Sequence, residues 1–230
     1  MGKFAANFWR SSDYGWGWHG SDTHGSDTHG SDRHGSDWDR SDWHSGGGDS
    51  ADGDCGCAGD TAEPGQTLTG DDAANVLTGG SGDDFIVANG GDDIVYAGNG
   101  DDFVLANGGN DQIHGGCGND TLLGGEDDDT IWGDAGNDLI DGDRGNDVLT
   151  GGAGADTFQF NVGPDYLGIG SDIITDFTLG EDHLVIKNGD QSLVSFTDTG
   201  SDLAVYYDGT LIAQLQGVAD IPQDTGLFFA

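Results

Sequence analysis

Positive charge is what this 230-residue sequence has least of, with six Lys and Arg set against 43 Asp and Glu for a formal net charge of −37. Such a balance excludes nucleic acid and anionic membranes as natural partners, and it opposes compaction unless cations neutralise it. Cysteine is scarce too. Cys55 and Cys57 stand two apart and Cys117 alone, so the odd total of three gives no disulfide framework and the fold is expected not to depend on one. No stretch approaches the roughly 18 apolar residues of a membrane span. The first residues, MGKFAANFWRSSDYGWGW, lack the apolar core and small-residue cleavage site of a signal peptide. If the protein is exported, its address is expected elsewhere in the chain.

What is abundant is glycine, 45 residues, beside the acids. That mixture ordinarily means disorder, and only an ordered pattern overrides it. Three regions separate by composition. Residues 1–63 hold a His/Trp/Gly-rich low-complexity arm and linker, 64–160 a strict repeat, and 161–230 the composition of a small β-domain. From Gly70 the chain divides every nine residues without insertion or deletion: GDDAANVLT, GGSGDDFIV, ANGGDDIVY, AGNGDDFVL, ANGGNDQIH, GGCGNDTLL, GGEDDDTIW, GDAGNDLID, GDRGNDVLT, GGAGADTFQ. The sixth position is Asp in nine repeats and Asn75 in the first. The fourth is Gly except at Ala73 and Asp127, and the eighth is always large and apolar, from Leu77 to Phe158.

These nonapeptides resemble the RTX (hemolysin-type) calcium-binding repeat, GGxGxDxUx. The implied fold is all-β: a right-handed parallel β-roll of ten repeats with a C-terminal β cap and a disordered N-terminal arm. In each repeat the first six residues are expected to turn, with Gly permitting positive φ, and the last three to form a strand whose eighth residue faces inward. Two repeats complete a coil. Stacked turns then offer carboxylates and carbonyls without nitrogen or sulfur, a donor set that suits calcium and not zinc.

The resemblance further implies that each ion lies between turns n and n+2. The Asp pairs would be Asp84 with Asp102, Asp93 with Asp111, Asp102 with Asp120, Asp111 with Asp129, Asp120 with Asp138, Asp129 with Asp147, and Asp138 with Asp156, with Asn75 and Asp93 as a weaker eighth. Carbonyls would come from the glycine positions, Gly79, Gly80, Gly82, Gly91, Gly100, Gly109, Gly118, Gly136, Gly145 and Gly154. Seven to eight calcium ions would remove about 14–16 of the negative charges. Family members leave through type I secretion machinery by an uncleaved C-terminal signal. GADTFQF, SDIITDFTLGEDHLVI and the apolar end Leu227–Ala230 resemble the tail that follows such repeats, which implies a secreted, extracellular protein. Asp172 and Asp176 would close the last coil, and Asp208-Gly209 between alternating apolar runs predicts a hairpin.

The arm repeats GSDTH-like pentads with His19, His24, His29, His34 and His44. Asp two residues before His could chelate zinc, copper or nickel in an extended chain; a flexible spacer and a haem- or surface-contacting segment are the other readings. The arm as a transition-metal or haem scavenger is the alternative to a structural, surface or matrix role. Catalysis is not expected. No HExxH or GxSxG occurs, and Asp198-Thr199-Gly200-Ser201 reads as a turn, because aspartic protease chemistry needs two such loops.

Overall fold

The computed structural model describes residues 63–162 and 170–219, all within the unit Gly47–Ala230. The described residues are all-β. Ten strands build the roll: β1 (Thr67–Thr69), β2 (Val76–Ser81), β3 (Phe85–Gly90), β4 (Ile94–Asn99), β5 (Phe103–Gly108), β6 (Gln112–Cys117), β7 (Thr121–Glu126), β8 (Thr130–Ala135), β9 (Leu139–Arg144) and β10 (Val148–Ala153). Each of β1 to β9 pairs in parallel with the strand after next, 18 residues on, as in Phe85 with Phe103 and Ile94 with Gln112. Odd strands therefore form one sheet and even strands the other, and two nonapeptides make one coil of a parallel roll as expected.

The strands are longer than the sequence suggests. β2 to β10 each run six residues, from position seven of one repeat through position three of the next, instead of three. The reason is a period-two burial that continues past the eighth residue. Asp at position six, the apolar residue at position eight and a small residue at position one all face inward, as with Asp84, Ile86 and Ala88 or Asp93, Val95 and Ala97. Position one is Gly or Ala in every repeat, since the interior has no room for more: a Cβ on Gly115 would lie 2.5 Å from Asp120 Oδ2. The eighth-position column is fully buried from Ile86 to Phe158, each side chain contributing about 1.5–3 kcal/mol of apolar burial.

Two left-handed residues bend each repeat. From the second repeat on, φ is positive at position two (Gly80 through Gly152) and position four (Gly82 through Gly154). The non-glycines found there are Asn89, Asn107, Asp127, Asp134 and Asp143, the residue types that tolerate this region best. Asp127 keeps the left-handed turn conformation of the glycines it replaces, at φ 75°.

Beyond the tenth repeat the coils continue with longer loops. β11 (Thr157–Asn161) pairs with β13 (His183–Lys187), setting Phe158 beside Leu184, and β10 pairs with β12 (Asp172–Ile174), setting Leu149 beside Ile174. The predicted hairpin is present: β15 (Leu203–Tyr207) and β16 (Thr210–Leu215) are antiparallel about Asp208-Gly209, and β14 (Val194–Asp198) adds an edge. Leu203 faces Leu215 and Val205 faces Ala213, but a register shift at Val205/Tyr206 puts Leu211 opposite Tyr206. β16 also pairs in parallel with β12, so the cap extends the nine-stranded sheet of the roll.

Candidate metal sites in the stacked turns

The turn aspartates form two columns, Asp84, Asp102, Asp120, Asp138 and Asp156 along one set of turns and Asp93, Asp111, Asp129 and Asp147 along the other. All nine are at most 3% exposed. In every pair anticipated from the sequence, the backbone N–H of one Asp donates to Oδ1 of the Asp one coil on, at 2.7–2.9 Å. Asn75 N donates to Asp93 Oδ1 in the same way, but its own Oδ1 accepts from Asp71 N at 2.8 Å within its turn.

The second carboxylate oxygen is the informative one. Oδ2 of Asp84, Asp93, Asp102, Asp111, Asp120, Asp129, Asp138 and Asp147 is buried without a hydrogen-bond partner. An ionised oxygen in that state is costly unless a cation compensates it. Its surroundings can be located from the position-one glycines. A Cβ on Gly115 would meet both Asp120 Oδ2 and, at 2.7 Å, the carbonyl oxygen of Gly133; Gly79, Gly124 and Gly133 stand in the same relation to Asp84, Asp129 and Asp138 and to the carbonyls of Ala97, Gly142 and Gly151. Carboxylate and carbonyl oxygens from successive coils therefore share one small gap. Among the described residues no three His, Cys, Asp or Glu side chains converge, so carbonyls must complete any coordination sphere. Oxygen-only, carbonyl-rich donor sets fit calcium.

Burial, opposed by the backbone hydrogen bond, pushes the Asp120 and Asp129 carboxyls up to about 8, with neighbouring aspartates in the column adding to the rise. The same causes bring Asp138 and Asp147 to about 7 and Asp102, Asp111 and Asp156 to about 6. Metal-free, Asp120 and Asp129 hold protons near neutrality, and a divalent ion would displace them.

The columns run past the repeats. Asp147 N donates to Asp172 Oδ1 at 3.1 Å and Asp156 N to Asp182 Oδ1 at 3.0 Å, and both acceptors are buried. Asp176 instead receives the N–H groups of Gly151 and Gly152 at 2.9 and 2.8 Å. Sequence reasoning missed Asp182. Its signal was Asp182-His183-Leu184, an Asp two residues before an apolar residue as in the second to tenth repeats. A second rail was also missed: at position five, Asp or Asn side chains accept from the backbone N–H one coil on, from Asp83 with Asp101 to Asn137 with Ala155.

His19, His24, His29, His34 and His44 lie outside the described residues, as do Cys55, Cys57 and the apolar end Leu227–Ala230. Cys117, which stands alone in the sequence, is disulfide-bonded. Asp198 accepts from Gly200 N at 2.6 Å in an exposed turn.

Residues 69–104, 105–140 and 132–167 match the RTX calcium-binding nonapeptide repeat, a family described in units of four copies. No curated protein of similar sequence was found. Among solved structures, the extracellular lipase LipA from Serratia marcescens is 17% identical with a TM-score of 0.33, over 76% of this chain and 41% of that one. The AlgE6R3 subunit of the Azotobacter vinelandii mannuronan C5-epimerase is 26% identical with a TM-score of 0.33, over 64% of this chain and 73% of that one. The chain thus spans 41% of the lipase's length.

Proposed function

Because residues 69–167 carry RTX calcium-binding nonapeptide repeats, we propose that this protein is exported and becomes a folded roll only where calcium is plentiful, its ions serving structure and not catalysis. The eight partnerless buried carboxylate oxygens carry this reading. Ionised and without metal they oppose folding, and with metal they become ligands, so binding free energy is folding free energy. One ion belongs between the turns of each Asp pair from Asp84/Asp102 to Asp138/Asp156, with Asn75/Asp93 as a weaker site and Asp147/Asp172 and Asp156/Asp182 as continuations of the columns.

Extracellular-type sites have Kd values near 10⁻⁴–10⁻³ M. At a free calcium concentration of ten times Kd each ion stabilises the fold by about 1.4 kcal/mol, so roughly eight sites acting together separate a low-calcium cytosol from an extracellular medium. Export by type I secretion machinery through the C-terminal region belongs to the same proposal, since a chain unfolded in the cytosol suits threading. Outside the cell, the acidic roll would serve a surface or matrix role.

Far-UV circular dichroism of the full chain tests this at pH 7.5. The expected result is little β signal in calcium-free buffer and a cooperative gain at millimolar calcium. A chain equally β-rich in both conditions overturns the folding switch.

A further inference from the structure

We propose that the last full coil holds an additional cation site of different construction, built from side chains around Asp141 on the outer face of the seven-stranded sheet. Position nine of the repeats points outward and holds Thr78, Val87, Tyr96, Leu105, His114, Leu123, Trp132, Thr150 and Gln159; Asp141 is its only acid. Yet Asp141 is 1% exposed. Its Oδ2 accepts from Gln159 Nε2 at 2.6 Å and Asn161 Nδ2 at 2.8 Å, and its Oδ1 accepts from Asp143 N at 3.1 Å.

Those three donors hold the carboxylate in place without neutralising its surroundings. Asp143 lies close enough to repel Asp141, and Asp141 in turn bears on the buried Asp147 and Asp172. Lys187, on the exposed end of β13, is the cation that offsets Asp141. The independent sign of a missing ligand is Gln159. This side chain is 7% exposed, and its Oε1 has no hydrogen-bond partner although its Nε2 does. A buried carboxamide oxygen left bare, on a side chain whose nitrogen already holds the Asp141 carboxylate, lacks the partner that burial demands. The donors are the Asp141 and Asp143 carboxylates and the bare Gln159 carboxamide oxygen, all hard, so the ligand class is a divalent cation such as calcium, while the Asn161 oxygen is taken up by Asn188 Nδ2 at 3.4 Å.

Native mass spectrometry of the full chain at saturating calcium, with thermal melts in calcium and in calcium-free buffer, tests the site. Asp141→Asn is expected to carry about one calcium ion fewer than wild type. Gln159→Glu keeps the ion and melts higher than wild type in calcium but lower without it, because a carboxylate oxygen replaces the bare carbonyl. A purely structural latch gives the contrary result: an unchanged ion count in Asp141→Asn and a lower melting temperature for Gln159→Glu in both conditions. Asp120→Asn serves as the turn-site reference. If it lowers the count and Asp141→Asn does not, this site is refuted while the turn sites stand; the reverse outcome refutes the turn sites alone.

Discussion

Asp120 and Asp138 lie in register one coil apart, with the Asp120 N–H donating to Asp138 Oδ1 at 2.8 Å while the equally buried Asp138 Oδ2 has no partner. Asn at 138 would preserve the first contact, and its amide would stand where the Gly151 carbonyl can accept. Asp138→Asn therefore has effects of opposite sign in the two states. Without metal it stabilises the roll by about 1 kcal/mol through the new hydrogen bond and the lost charge. In saturating calcium it weakens the ions on both sides of turn 138 and costs about 1–3 kcal/mol. Denaturant unfolding with and without calcium measures both, and a loss in each condition would contradict the assignment of Oδ2 to the metal.

The pH dependence follows from the same columns. Burial raises the folded-state carboxyls to about 8 at Asp120, Asp129 and Asp172, about 7 at Asp138 and Asp147, and about 6 at Asp102, Asp111 and Asp156, against about 3.9 in the unfolded chain. Between those limits the folded state binds more protons than the unfolded one. Stability of the metal-free roll is thus complete below about pH 4 and is lost as pH rises through 6 to 8. In calcium-free buffer the melting temperature should be highest in mild acid and collapse by pH 8. In millimolar calcium the order reverses, because protons and calcium compete for the same oxygens. A metal-free melting temperature that climbs with pH would refute the burial of these carboxyls.

Much of the roll was legible because two of its columns have unmistakable chemistry, Asp at position six and a large apolar side chain at position eight. The six-residue strands were not. Gly79, Gly115 and Gly124 read as turn residues, whereas at position one glycine reports an inward-facing site with no room for a Cβ. Position two carries the Gly, Asn or Asp that a left-handed backbone favours, a pattern as regular as the visible ones but spread over three residue types. Asp182 escaped because its partner Asp156 is 26 residues back instead of 18, which breaks the phase. The hairpin at Asp208-Gly209 was readable from its turn residues; the shift at Val205/Tyr206 had no local signal.

The core column makes a graded prediction. Ile131 is wholly buried between coils, while Leu77, in the edge strand β2, is only partly covered. Ile131→Ala leaves a cavity with neighbours above and below and should cost about 2–5 kcal/mol in saturating calcium. Leu77→Ala removes a side chain that water already reaches, and should cost less than half as much. Equal losses, measured by denaturant midpoints at constant slope, would mean that the end coil packs as tightly as the middle.

Position four offers the sharpest contrast between backbone conformation and side-chain chemistry. Gly136 and Asp127 occupy equivalent turn sites with φ of 145° and 75°. A Cβ on Gly136 would overlap the Gly118 carbonyl oxygen, so Gly136→Ala combines a disfavoured conformation with a clash and should cost at least ~2 kcal/mol. Asp127→Gly relieves the left-handed cost and removes a charge that raises the Asp129 and Asp111 carboxyls. Against that, glycine adds about 0.5–1 kcal/mol of unfolded-state entropy, so the net change is expected to lie within about 1 kcal/mol of zero. Thermal melts in calcium compare the two directly. If Asp127→Gly destabilises as strongly as Gly136→Ala, the Asp127 side chain is itself holding the turn, and the left-handed backbone is not what selects residues at this position.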